Sequence, residues 1–169
     1  MKSQNLSSRL IYVTLTALVA LAIDLTTKSL AVHTLSTNSV THLGPLDLRL
    51  TYNLGSTSHP VHASLAYLIE IRLLVVVVLV AVFFVLKSRV TAAAIGLVLA
   101  ALLGNFLNLA LAPHVVPDFL MLGPVWTADL ADFYGAAGIF LFACSFTMMV
   151  VRLLRSIESR RPSSIKQLA

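Results

Sequence analysis

The chain has 169 residues, of which 58% are hydrophobic and only 11% charged, with a formal charge of +5. Soluble domains carry about 45–50% apolar and about 25% charged residues, so a water-soluble fold of this size could not hide so much apolar surface. Cys144 is the one cysteine, which excludes an internal disulfide and reads as a small packing residue.

Crossing the hydrocarbon takes roughly 20 mostly apolar residues per helix, and four windows qualify. Residues 10–35 form the first and contain Asp24 and Lys28. Residues 63–86 form the second, with Glu70 and Arg72 near its start. The third, 90–112, has no formal charge, and the fourth, 130–154, carries Asp132 near its start and Arg152 near its end. The expected fold class is therefore an all-α membrane protein of four transmembrane helices. Residues 1–160 make one domain, and 161–169 a disordered basic tail. The first window is too long and too polar at its end for a cleaved signal peptide.

The flanking charges orient the chain. Lys2, Arg9, Lys87, Arg89, Arg152, Arg155, Arg160, Arg161 and Lys166 are nine of the twelve basic residues, and all fall on one side. Six of the seven acids fall in the other half, with only Glu158 on the basic side. The basic side is expected to be cytoplasmic, with both termini there and the tail against anionic headgroups rather than nucleic acid. The partner expected first is thus the lipid bilayer.

Two outer loops follow. In the first, 36–62, the segment 46–52 (LDLRLTY) alternates apolar and polar residues, the pattern of a half-buried strand. Turn residues flank it, Gly44-Pro45 before and Asn53-Leu54-Gly55 after. A small β-element on the outer surface, apolar face down, is expected. The second loop, 113–129, holds three prolines and Trp126, the latter placed as an interfacial anchor.

Ionisable groups at membrane depth are costly and so mark function or pairing. Asp24 and Lys28 are four apart on one helix, in the favourable order for an ion pair. Glu70 and Arg72, two apart, cannot face each other, and each needs an outside partner or a route to the interface. Asn105 and Asn108 share a helix face, which suits hydrogen bonding between helices. Asp129 and Asp132 lie one turn apart, with Asp118 across the proline-bounded loop. If that loop folds back, two carboxylates can share a proton around one water. One then serves as base and the other as acid, the chemistry of aspartic proteases, which uses no metal or cofactor. From spacing alone, solvated loop acids and an acid at a helix N-terminus explain the same residues.

In this order the residues resemble bacterial signal peptidase II, the lipoprotein signal peptidase family, over most of the chain. IDLTTKSLA resembles its first-helix motif, with Asp24 and Lys28 in place; LTYNLGS resembles the strand motif through Asn53 and Gly55. LLGNFLN matches the third-helix motif at Gly104 and Asn105, and HVVPDF and DLAD resemble the segments carrying two catalytic aspartates, which would be Asp118 and Asp132. The resemblance implies a peptidase of the bacterial inner membrane. Its substrate would be a diacylglyceryl-modified prolipoprotein, cut before the lipidated cysteine, with Asn53 and Asn105 bonding the peptide backbone. The chain departs from the pattern at Asn108 and Leu109, where the family has an acid and an arginine, and at Asp129, where it has asparagine. Those departures leave open a second expectation, a catalytically impaired relative serving as a membrane scaffold, complex subunit or lipoprotein-binding protein.

Overall fold

The structure is a computed structural model that describes residues 5–53, 65–111 and 115–159, with backbone only at 65–68. Its elements are α1 (Leu6–Thr34), β1 (Thr41–Leu43), β2 (Leu46–Asn53), α2 (Leu65–Val85), α3 (Arg89–Ala110), β3 (Val116–Met121), β4 (Thr127–Ala128) and α4 (Leu130–Ser159). Among the described residues, α1, α3 and α4 are long and apolar enough to cross a membrane. At 21 residues and about 1.5 Å per residue, α2 also matches a hydrocarbon core of about 30 Å. The molecule is an integral membrane protein with four helices and a small sheet. The ends of the helices differ from the expected windows by a turn or so, and Gly55 and the tail 160–169 lie outside the described residues.

Helix α3 is the spine. Its buried face is built from small residues, including Ala92, Ala94, Gly96, Ala100 and Gly104, and α1 and α4 pack on either side of it. Lipid tails are as apolar as leucine, so membrane helices associate through close van der Waals packing, which small residues permit. A Cβ on Gly96 would stand 2.6 Å from the Val13 carbonyl oxygen, and one on Gly138 would stand 2.6 Å from Val98 Cγ2. Both glycines therefore set interhelical distance. The outward faces are lipid-facing: Ile11, Leu15 and Leu18 on α1 are all more than half exposed.

Helix α2 is held differently. Arg9 on α1 is 3% exposed, donates to the carbonyls of Phe83 and Leu86, and lies 4.0 Å over the Phe83 ring. The last carbonyls of a helix have no partner within it, and this guanidinium supplies one. Arg9 is thus a buried cap for a neighbouring helix as well as a flanking charge. Three residues later Ser88 caps α3 by accepting from the Thr91 amide at 3.0 Å.

At the opposite end of the bundle lies a four-stranded antiparallel sheet in the order β1-β2-β3-β4. The expected strand at 46–52 is present as β2. The expected loop at 113–129 instead contains β3 and β4. Pro117 costs the sheet a donor, yet Tyr52 pairs with it in register. A register shift between Leu48 and Thr51 marks a bulge in β2, which increases local twist. The β1–β2 and β3–β4 turns lie at the same end of the sheet. Together they present Leu43, Leu46, Leu122, Val125 and Trp126, all more than half exposed. Gly44 and Gly123 take positive φ of 61° and 111° there, a conformation that favours glycine.

Candidate active site

The other end of the sheet meets the helices, and the ionisable residues collect at this junction. Lys28 is 2% exposed and Asp24 is fully buried. The ammonium reaches three oxygens: Asp24 Oδ2 at 2.8 Å, Asn105 Oδ1 at 2.7 Å and Asp129 Oδ2 at 2.7 Å. It donates hydrogen bonds to Asp24 and Asn105, and its contact with Asp129 is an ion pair. The expected pair on α1 is therefore the centre of a network joining α1, α3 and the start of α4. Gly104 makes room for it, because a Cβ there would collide with the Asp24 carboxylate.

The start of α4 is fixed by carboxylates. Asp129 is the residue before the helix, and its Oδ1 accepts from the Asp132 amide at 2.9 Å. Asp132 Oδ2 accepts in return from the Asp129 amide at 3.3 Å. This is a reciprocal capping box. Asp24 Oδ1 accepts from the Ala131 amide at 3.1 Å, so two of the first amides of α4 are satisfied by acids, in keeping with the positive end of the helix dipole.

Asp118 enters from β3, paired with Thr51 of β2. It is 4% exposed. Its Oδ2 accepts from the Asn53 amide, while Oδ1 is buried with no hydrogen-bond partner among the described residues. The Thr51 hydroxyl bonds the Thr127 hydroxyl and lies 3.5 Å from the Asp118 carbonyl oxygen, which ties β2, β3 and β4 together beside the acid. One carboxylate oxygen each of Asp118, Asp129 and Asp132 lies within 4.8 Å of the others. Asp118 and Asp129 are buried, whereas Asp132 is open to the surface. Such a group of acids can also attract a divalent ion, but the Lys28 ammonium already neutralises part of its charge.

Burial pushes the Asp118 carboxyl up to about 7. The Asn53 hydrogen bond opposes that rise, the charges of Asp129 and Asp132 add to it, and Lys28 counters them. A carboxyl that keeps its proton near neutrality, beside a second carboxylate open to solvent, can hold the one shared proton that acid–base hydrolysis of a peptide needs.

The remaining site residues named from sequence are placed as follows. Asn53 and Asn105 are both at the junction, with protein partners Asp118 and Lys28. Asn108 is half-buried, and its amide donates to the Gly104 carbonyl of its own helix at 2.7 Å, a bond within α3 where a bond between helices was expected. Leu109 is 5% exposed. Arg72 is half-buried and lines an apolar groove of about 380 Å³ between α2 and α3 with Leu73, Val76, Leu102 and Phe106; Glu70 is exposed. Sequence reasoning missed the cap formed by Asp129 and Asp132. Its signal was present, since an acid three residues before another acid, just ahead of an apolar run, is the mark of a helix start.

Acids gathered where a small sheet meets the end of a helical bundle define the site of an integral membrane protein. The profile of signal peptidase (SPase) II matches residues 16–148, and the chain belongs to that peptidase family. No curated protein matches the sequence significantly. Among solved structures, two described as bacterial membrane enzymes share the fold. One has a TM-score of 0.68 at 20% identity, covering 88% of this chain and 91% of its own. The other has a TM-score of 0.68 at 22% identity, covering 79% and 91%.

Proposed function

We propose that this chain is an aspartic endopeptidase that cuts diacylglyceryl-modified prolipoproteins just before the lipidated cysteine. Asp118 and Asp132 form the dyad. One observation carries the reading: the buried Asp118 Oδ1, without a hydrogen-bond partner among the described residues, stands in the same cluster as the open Asp132 carboxylate, a place for one water and one peptide carbonyl. The carboxylate deprotonates the water, which attacks the scissile carbonyl. The protonated partner donates to the carbonyl oxygen, and the proton passes to the leaving amine as the C–N bond breaks.

The bilayer supports the substrate class. A lipid-anchored peptide is held at the membrane surface, where the sheet–helix junction is expected, and an apolar groove lies between α2 and α3. Asn53 and Lys28 act as supports: the first orients Asp118, the second anchors Asp129, Asn105 and Asp24 around the dyad. The charge count supports a topology with the sheet outside the cell and both termini in the cytoplasm of a bacterial inner membrane.

Leu109 and the inward-turned Asn108 favour a second reading, a relative that binds lipoproteins without cutting them. A leucine offers none of the forked donors of an arginine. Incubating the purified protein in lipid with a diacylglyceryl-modified prolipoprotein separates the two. The peptidase turns it over, and Asp118→Asn or Asp132→Asn each lowers turnover by a factor of about 10³ or more, as expected when a group exchanging the reacting proton is lost. Binding without turnover by the unaltered chain establishes the second reading.

A further inference from the structure

Asp129 has no place in a two-carboxylate mechanism, yet it is fully buried between the dyad and Lys28. Its two oxygens have separate tasks. Oδ1 holds the amide of Asp132, and so fixes where that residue leaves the backbone. Oδ2 meets the Lys28 ammonium, which Asp24 also claims. One cation thus serves two buried carboxylates. By formal charge the triad of Asp24, Lys28 and Asp129 has two acids to one base.

We propose that Asp129 is a positioning residue that fixes Asp132 and, by its charge, extends toward higher pH the range over which the dyad holds its shared proton. A carboxylate a few ångströms away disfavours ionisation of its neighbours, and the low polarisability of the membrane-edge interior strengthens the effect. The charged groups acting on Asp118 are Lys28 from α1 and Asp129 and Asp132 from the start of α4, with the uncharged Asn53 and Thr51 from β2 beside it; those acting on Asp132 are Asp129, Lys28 and Asp24. Among them Lys28 alone is cationic. The raised proton affinity of Asp118, to which Asp129 contributes, is in line with this arrangement. The catalytic consequence rests on the peptidase reading given above; the electrostatic one stands without it.

Asp129→Asn separates the two tasks, because an asparagine oxygen can still cap the helix while the charge is gone. Two readouts apply. The first is the pH profile of kcat/KM on a synthetic diacylglyceryl-modified peptide. The high-pH limb of Asp129→Asn is expected to move down by about one pH unit, the scale of a single partly neutralised neighbour. The second is an infrared titration of the protonated carboxyl band, assigned by its loss in Asp118→Asn. Its midpoint is expected to move down in Asp129→Asn by a similar amount, with or without turnover. Asp47→Asn, an equal charge change on the remote hairpin, is expected to move neither. Asp129→Ala, which loses the cap as well, is expected to turn over more slowly than Asp129→Asn at every pH. The proposal is overturned if the infrared midpoint of Asp129→Asn stays where it is, or if Asp47→Asn shifts it equally. An inactive but normally titrating chain would refute the peptidase reading and leave this one standing.

Discussion

Replacing Lys28 by methionine removes the only cation from the buried network among the described residues and keeps the apolar stem. The ammonium has three oxygens at 2.7–2.8 Å, and it is 2% exposed beside carboxylates that are fully buried. Removing one partner of a buried ion pair costs about 3–5 kcal/mol, because the charge left behind is uncompensated. Here two such charges are left, which places Lys28→Met at the upper end of that range. For a chain of this length a loss of 1 kcal/mol lowers Tm by roughly 2–4 °C, so a fall on the order of 10 °C is expected. Thermal unfolding of the detergent-solubilised protein, followed by circular dichroism, measures it. Neutralising all three members in Asp24→Asn/Lys28→Met/Asp129→Asn keeps the oxygens that cap α4 and removes the stranded charges. This triple variant is expected to recover at least half of the lost Tm. A Lys28→Met protein as stable as the parent, or a triple variant no better than the single one, would refute the reasoning.

Three further outcomes are expected. The Asp118 carboxyl rises from its ordinary 3.8 to about 7 on folding, so between those values the folded chain binds a proton that the unfolded chain releases. Stability therefore falls as pH climbs through that window, and Asp118→Asn should flatten the decline in Tm between pH 4.5 and 7.5; an unchanged slope contradicts the assignment. Gly138→Ala puts a Cβ 2.6 Å from Val98 Cγ2 and 2.8 Å from the Ala94 carbonyl oxygen, and overpacking of this kind costs about 1–3 kcal/mol, measurable as a loss of several degrees in Tm. Trp126 is the one tryptophan, so its fluorescence reports the sheet tip alone: brominated lipids should quench it if the tip rests in the interface, and water-like, unquenched emission would place it elsewhere.

The helices were legible because twenty apolar residues in a row have few other meanings. The pairing of Asp24 with Lys28 followed from spacing and charge. Strand β2 was legible for a similar reason, since its alternation matches the pleat. Strand β3 was not. Pro117 removes a donor, and VPDFLM is buried along most of its length, so it lacks the alternation that marked its neighbour. The junction was legible as a set of residue types and not as a geometry. Spacing puts Asp129 near Asp132, but only the fold brings Lys28 from over a hundred positions earlier to sit between Asp24 and Asp129. The same holds for Arg9. As a flanking charge it predicts topology, yet its buried bonds to Phe83 and Leu86 depend on where α2 ends, which no local pattern states. Asn108 shows the converse. It shares a face with Asn105, as the helical period requires, and still spends its amide on its own backbone.

The most direct test of the proposed chemistry is the mass of both fragments released from a lipidated prolipoprotein reconstituted with the protein in bilayers. The expected products are a signal peptide and a mature chain whose first residue is the diacylglyceryl-cysteine, absent when either Asp118 or Asp132 is an asparagine. Intact substrate after prolonged incubation with the unaltered protein, or the same two fragments from Asp118→Asn, would contradict a proteolytic role for this carboxylate pair.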